Sequence, residues 1–128
     1  MEQVFPVLIV DDVSSSRRLV RRLLEQNGMK NVVEAQNGEE ALSLISSSPP
    51  FQLLITDLNL GAMNGIELIN SLDQTPATVN VPAIIMTSDA DRQTVMKAIT
   101  HKPTTFILKP LSGAVLKEKI AELTKSVG

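Results

Sequence analysis

Val7-Leu8-Ile9-Val10-Asp11-Asp12-Val13-Ser14-Ser15-Ser16-Arg17-Arg18-Leu19-Val20 carries a complete change of local structure in one short stretch. The apolar run, taken from Val4 to Val10, is brief, largely β-branched and uninterrupted, the pattern of a strand buried on both faces. Two carboxylates end it. Three serines then offer N-cap hydroxyls, and from Arg17 to Gln26 the residues Leu19, Val20, Leu23 and Leu24 make one helical stripe. Asn27-Gly28 stops that helix, because glycine accepts the left-handed conformation that follows a last turn.

The same grammar recurs to the end of the chain. Val32–Ala35 reads as a second strand, and Asn37-Gly38 turns it into a helix over Glu39–Ser46 that Ser47-Ser48-Pro49-Pro50 breaks. Phe51–Thr56 reads as a third strand, Leu58–Asn64 as a loop and Gly65–Leu72 as a helix. An irregular Thr75–Pro82 segment precedes a fourth strand, Ala83–Met86. Ser88–Asp91 then caps a helix to about Thr100. A fifth strand, Thr105–Leu108, leads to a last helix over Ser112–Lys125, with Leu116, Ile120, Leu123 and Val127 on one face. Five strand-helix units with short joints predict an α/β domain: a parallel sheet with helices on both faces.

A length of 128 residues suits one domain spanning 1–128, able to bury a core without disulfide staples. The net charge of −2 offers no basic field to nucleic acid. Cysteine is absent, which removes thiolate metal sites and thiol nucleophiles and agrees with a reducing compartment. Met1-Glu2-Gln3-Val4 lacks the features of a signal peptide, and no segment approaches the roughly 18 apolar residues of a membrane helix. The expectation is a cytoplasmic protein with no membrane or direct nucleic-acid partner. Three Phe and no Tyr or Trp leave little for stacking on bases or flavins.

Chemistry gathers at the strand ends. Asp57 follows Leu53-Leu54-Ile55-Thr56, Thr87 follows Ala83-Ile84-Ile85-Met86, and Lys109 follows Phe106-Ile107-Leu108. In a parallel sheet these carboxyl ends share the edge at which open α/β sheets bind ligands. Acids brought together there repel unless a cation joins them, and hard oxygen donors suit Mg²⁺. Asp12 and Asp57 are candidate direct ligands, Asp11 a residue that orients metal-bound water, and a backbone carbonyl just after Asp57 a further ligand. A carboxylate is also a nucleophile toward phosphorus, giving an acyl phosphate. Mg²⁺ and Lys109 would neutralise the transferring oxygens, and the Thr87 hydroxyl would donate to one of them.

Taken in order, Asp11-Asp12, Asp57, Asn64-Gly65, Thr87-Ser88 and Lys109-Pro110 resemble the motifs of a two-component response-regulator receiver domain, and the similarity spans the whole chain. It is nearest to receivers of the chemotaxis-regulator kind, whether free-standing or cut from a longer protein. The resemblance implies a flavodoxin-like five-stranded parallel sheet of order 2-1-3-4-5 with five helices on two faces. It implies Asp57 as phosphoacceptor; Mg²⁺ held by Asp11, Asp12, Asp57 and the Asn59 main-chain carbonyl; Thr87 and Lys109 on the phosphoryl group; and Phe106 as the switch aromatic coupled to Thr87. It also implies a cis Lys109-Pro110 bond. The implied donor is a sensor histidine kinase or histidine phosphotransfer protein, with small acyl phosphates able to substitute. The output is a downstream protein target or a fused output domain, and the oligomeric state a monomer or weak homodimer. Self-phosphorylation and autodephosphorylation are implied, without turnover of a separate substrate.

The chain departs from the family pattern in places. Leu60-Gly61 stands where many relatives have Met-Pro, which implies a looser loop after Asp57. Lys102-Pro103 replaces a small Gly-Ala pair, and Phe106 lacks a tyrosine hydroxyl. Asn59 and Asp89 occupy positions that tune dephosphorylation in relatives. Other readings compete. A haloacid-dehalogenase-type phosphatase needs a second acid two residues after its nucleophile, where Val13 and Ser14 stand. A flavin carrier needs flanking aromatics, whereas Phe5, Phe51 and Phe106 fall in strands. A pseudo-receiver, acting as a phosphorylation-independent interaction module, is the alternative function. Of the remaining polar residues, His101 reads as a surface residue. Arg17, Arg18, Arg21 and Arg22 read as the polar flanks of the first helix, shared with a partner kinase.

Overall fold

A computed structural model describes residues 5–47 and 51–127, with side chains through Leu123. Its five principal strands are β1 (Val7–Val10), β2 (Val32–Ala35), β3 (Leu53–Asp57), β4 (Ala83–Thr87) and β5 (Thr104–Leu108). The helices are α1 (Ser14–Gln26), α2 (Gly38–Ser47), α3 (Gly65–Ser71), α4 (Arg92–Ala98) and α5 (Gly113–Val127). All strand pairs in the sheet are parallel, in the order β2-β1-β3-β4-β5. This is the flavodoxin-like arrangement implied by the motifs.

Alternation along the strands sorts the core into two layers. Leu8 and Val10 of β1, with Leu54, Ala83 and Ile85, face Ala41, Leu68, Ile69 and Val95 of α2, α3 and α4. Val7 and Ile9, with Leu53, Ile55, Ile84 and Ile107, face Val20 and Leu24 of α1 and Leu116, Ile120 and Leu123 of α5. Both faces of the central strands are covered, which is why their sequences are continuously apolar.

Several boundaries differ from the sequence reading. The strand start at Val4, the Ser48-Pro49-Pro50 break and the Val127 contact lie outside the described residues or side chains. Phe5 precedes β1 and is 43% exposed; Phe51 precedes β3 and is buried, so neither is a strand residue. The three serines do not cap α1 but form its first turn. Val13 is the N-cap and makes no side-chain cap bond, while Asp11 Oδ1 accepts from Val13 N at 2.9 Å. Leu19 is exposed, leaving Val20 and Leu24 as the buried row of α1. After Asp57 the chain forms a short antiparallel ladder, Asn59–Leu60 with Met63–Asn64, turning at Gly61 with φ +85°, where the sequence reads as a loop over Leu58–Asn64.

α4 ends at Ala98 rather than near Thr100 because Asn70 of α3 takes over its last polar groups. The Asn70 side chain donates to the Ala98 carbonyl at 3.1 Å and accepts from Thr100 N at 2.8 Å. His101, read from sequence as a surface residue, is 1% exposed. Its Nδ1 lies 2.5 Å from Asp73 Oδ1 and its Nε2 2.6 Å from the Val81 carbonyl. Both partners come from the segment after α3, far from His101 in sequence. The Lys102-Pro103 and Lys109-Pro110 bonds are cis, the second as the resemblance implied. Among the described residues no helix is long and apolar enough to cross a membrane.

Candidate functional site

Register fixes the site. Val10 of β1 pairs with Thr56 of β3, so Asp11 and Asp57 stand level on neighbouring strands. Asp57 pairs with Met86, which places Thr87 one step beyond it on β4; Thr87 pairs with Leu108, which places Lys109 one step beyond β5. The polar ends thus climb one edge of the sheet in order. Oxygens from Asp11, Asp12 and Asp57 lie within 4.8 Å of one another. Lys109 Nζ lies 2.7 Å from Asp57 Oδ1, which also accepts from Leu58 N at 2.8 Å. Asp57 is 5% exposed, whereas the Lys109 side chain is half exposed and reaches in from solvent.

The other sequence candidates fall near this cluster with less contact. Thr87 is buried, and its hydroxyl lies 3.5 Å from the Ser88 carbonyl. Asn59 is exposed at the start of the short ladder two residues after Asp57. Phe106 is half-buried on the α4 side of the sheet, its ring 5.6 Å from the Arg92 guanidinium carbon and 4.7 Å from Lys119 Nζ. Its strand borders an open groove of about 400 Å³ that Leu108, Pro110 and Val115 also line.

Electrostatics in the cluster are unbalanced. Asp11 Oδ2 is buried with no hydrogen-bond partner among the described residues. Burial, the largest influence, pushes the Asp11 carboxyl above its ordinary pKa. The Val13 N–H pulls it down, Asp57 pushes it up, Lys109 pulls it down and Asp12 pushes it up. A buried, unpartnered carboxylate oxygen facing two more acids is the donor set a small hard divalent cation satisfies.

A pH effect follows. A carboxyl whose pKa is raised on folding stabilises the fold while protonated, and that contribution is lost as pH rises through the raised value. At neutral pH, without a divalent ion, Asp11 therefore weakens the fold. Asp11→Asn keeps an acceptor for Val13 N and presents an amide to the neighbouring acids. Its thermal midpoint in EDTA is expected to exceed wild type at pH 7, the gain shrinking as pH falls into the ordinary carboxylate range. An unchanged or lower midpoint at pH 7 would count against this account.

Two residues at the site carry roles that the sequence reading did not give them, although Gly65 stood in the Asn64-Gly65 motif and Arg17 among the polar flanks of the first helix. Gly65 opens α3 against the end of β3, where a Cβ would stand 2.3 Å from the Asp57 carbonyl oxygen. The pattern Asn64-x-x-Glu67 was an available signal: it forms a reciprocal capping box that fixes this helix start. Arg17 is the other. Arg18 and Arg22 are exposed as expected of a polar flank, but Arg17 and Arg21 turn inward to Glu34 of β2.

Comparison with known proteins agrees with this geometry. The family model for the response regulator receiver domain matches residues 7–121. The chemotaxis protein CheY of Pseudomonas aeruginosa is 34% identical over 121 residues, covering 94% of this chain and 97% of that protein. The signal receiver domain of a signal transduction histidine kinase from Syntrophus aciditrophicus superposes with a TM-score of 0.82 at 27% identity, over 97% of this chain and 92% of that one. Chemotaxis protein CheY4 of Vibrio cholerae gives a TM-score of 0.81 at 25% identity, over 94% and 99% of the two chains. With its parallel sheet in the order 2-1-3-4-5 and acids and lysine on one edge, this chain belongs to the response-regulator receiver family, the phosphorylation-dependent switches of signal transduction.

Proposed function

We propose that residues 1–128 act as one phosphoacceptor domain that takes a phosphoryl group onto Asp57 with the help of Mg²⁺. The observation that carries this reading is the meeting of three carboxylates within 4.8 Å and one ammonium 2.7 Å from Asp57. Asp11, Asp12, Asp57 and the Asn59 carbonyl are the residues that would hold the ion. When bound, Mg²⁺ supplies charge neutralisation of the phosphoryl oxygens.

A carboxylate oxygen of Asp57 attacks the phosphorus of a phosphohistidine on a histidine kinase or phosphotransfer protein. The O–P bond forms as the P–N bond breaks, and the departing imidazole takes up a proton. Lys109 starts on the acceptor carboxyl group, balances its charge and turns its ammonium to the phosphoryl oxygens as they arrive. Thr87, one register step away, turns its hydroxyl from the Ser88 carbonyl to the new phosphoryl oxygens. That movement frees space beside Phe106 and biases the α4–β5–α5 face between two arrangements, which a downstream protein or a linked output domain reads. Without Thr87 and Lys109 responding to the new dianion, phosphate would have no differential contact with the two arrangements and would shift nothing.

The test is incubation with acetyl phosphate. In Mg²⁺ the intact protein is expected to gain one covalent phosphate, localised by peptide mass spectrometry to Asp57, and EDTA is expected to suppress the gain. No gain with acetyl phosphate or with a phosphorylated histidine donor would leave a phosphorylation-independent interaction module.

A further inference from the structure

We infer that Arg17 is a positioning residue for the acidic cluster, acting through the peptide bond between Asp11 and Asp12. This inference rests on the metal-dependent reading of the site. Helical side chains lean toward the helix N-terminus, so an arginine in the first turn of α1 reaches back over the β1–α1 junction. Arg17 Nη1 donates to the Asp11 carbonyl at 2.6 Å, and its Nε donates to Glu34 Oε1 at 3.1 Å. Glu34 is itself anchored on β2 and shared with Arg21 Nη1, while Arg21 Nη2 donates to the Val32 carbonyl at 3.3 Å.

The contact falls on a sensitive bond. Asp11 N donates to the Ala35 carbonyl at 3.2 Å, and Asp11 Oδ1 accepts from Val13 N at 2.9 Å. With Arg17 on its carbonyl, Asp11 is held on three sides, and Oδ2 is left as the buried side-chain atom without a partner among the described residues. The peptide plane whose carbonyl Arg17 grips joins both acids. That plane fixes the Asp11 ψ and Asp12 φ angles, so one hydrogen bond on its carbonyl constrains how the two candidate ligands stand relative to each other. The Arg17 charge is paired with Glu34, which leaves the hydrogen bond to the Asp11 carbonyl as what it adds at the cluster. Arg17 therefore acts by geometry. Arg21 shares the Glu34 anchor but donates to the Val32 carbonyl where Arg17 donates to that of Asp11, which makes it the control.

The experiment is titration of the full chain with Mg²⁺ alone, by calorimetry, with thermal midpoints recorded in EDTA. Arg17→Ala is expected to raise the Mg²⁺ dissociation constant about tenfold, the usual scale for losing a group that orients a ligand. Arg21→Ala is expected to stay within about twofold of wild type, since it loosens the Glu34 anchor without touching the Asp11 carbonyl. Arg17→Lys, which cannot span both partners with one nitrogen, serves if the alanine variant does not fold, and is expected to lose at least about threefold. For any Arg17 variant, saturating Mg²⁺ is expected to restore the acetyl phosphate labelling rate. A folded Arg17 variant with wild-type affinity overturns the inference, as does an equal loss in Arg21→Ala, which would signal general loosening of α1 on β2. Wild-type protein that fails to bind millimolar Mg²⁺ would overturn the phosphoacceptor reading itself, a separate result.

Discussion

Asp57→Asn is expected to abolish acyl phosphate formation, cutting the rate by on the order of 10³-fold or more, the scale seen when a covalent nucleophile is removed. The substitution isolates chemistry from folding. Asparagine keeps an oxygen at the position that accepts from Leu58 N at 2.8 Å and from Lys109 Nζ at 2.7 Å. It removes one negative charge from a cluster in which Asp57 pushes the Asp11 carboxyl upward, so the ion-free fold loses a source of repulsion. What it cannot supply is an anionic oxygen: the amide oxygen is neutral, and attack through it would leave a positively charged adduct in place of an acyl phosphate. Loss of labelling with an intact thermal transition is the expected result, read by mass spectrometry after acetyl phosphate treatment in Mg²⁺. Labelling at the wild-type rate would place the acceptor elsewhere, and the neighbouring Asp12, exposed on the same edge, would be the first position to map.

The sheet edge was legible in the sequence because each of its polar residues terminates an apolar run. Strand period, run length and the residue that ends a run are local properties, and parallel pairing aligns local endings into a shared edge. Asp11, Asp57, Thr87 and Lys109 could therefore be placed together before any contact was known. Contacts between distant segments were not legible. His101 lies between Thr100 and Lys102, a polar neighbourhood that suggests the surface, yet its two partners lie 28 and 20 residues back in the chain. Nothing local announces Asp73 or the Val81 carbonyl. The apolar stripe of α1 failed at one position for a related reason. Leu23 packs beside Gly113, where α5 begins. Leu19 stands one turn earlier in α1, nearer the carboxyl edge, and is left exposed. A helical wheel shows which residues share a face but not where the neighbouring helix begins.

The second large effect concerns the joint that aims Asp57. Gly65→Ala is expected to destabilise the protein by about 3 kcal/mol, at the upper end of overpacking costs. The added Cβ would sit 2.3 Å from the Asp57 carbonyl oxygen and 3.2 Å from its carbonyl carbon, with Ile85 Cδ1 at 3.3 Å. That carbonyl already accepts the Thr56 hydroxyl at 2.9 Å, and Gly65 N donates to the Leu58 carbonyl at 2.8 Å, so backbone is crowded from both sides. A side chain could rotate away; a peptide group at the end of a central strand cannot do so without moving the phosphoacceptor. Shortening Ile85 to Val in the same protein is accordingly expected to recover little. Gly113→Ala supplies the contrast. Its Cβ would meet only Leu23 Cδ2, at 3.2 Å, and it opens a helix, where alanine is favoured by up to about 1 kcal/mol. Denaturant unfolding of the two variants should separate backbone crowding from glycine propensity. Equal, small effects would mean that α3 can slide off β3 freely, in which case the helix start does not set the position of Asp57.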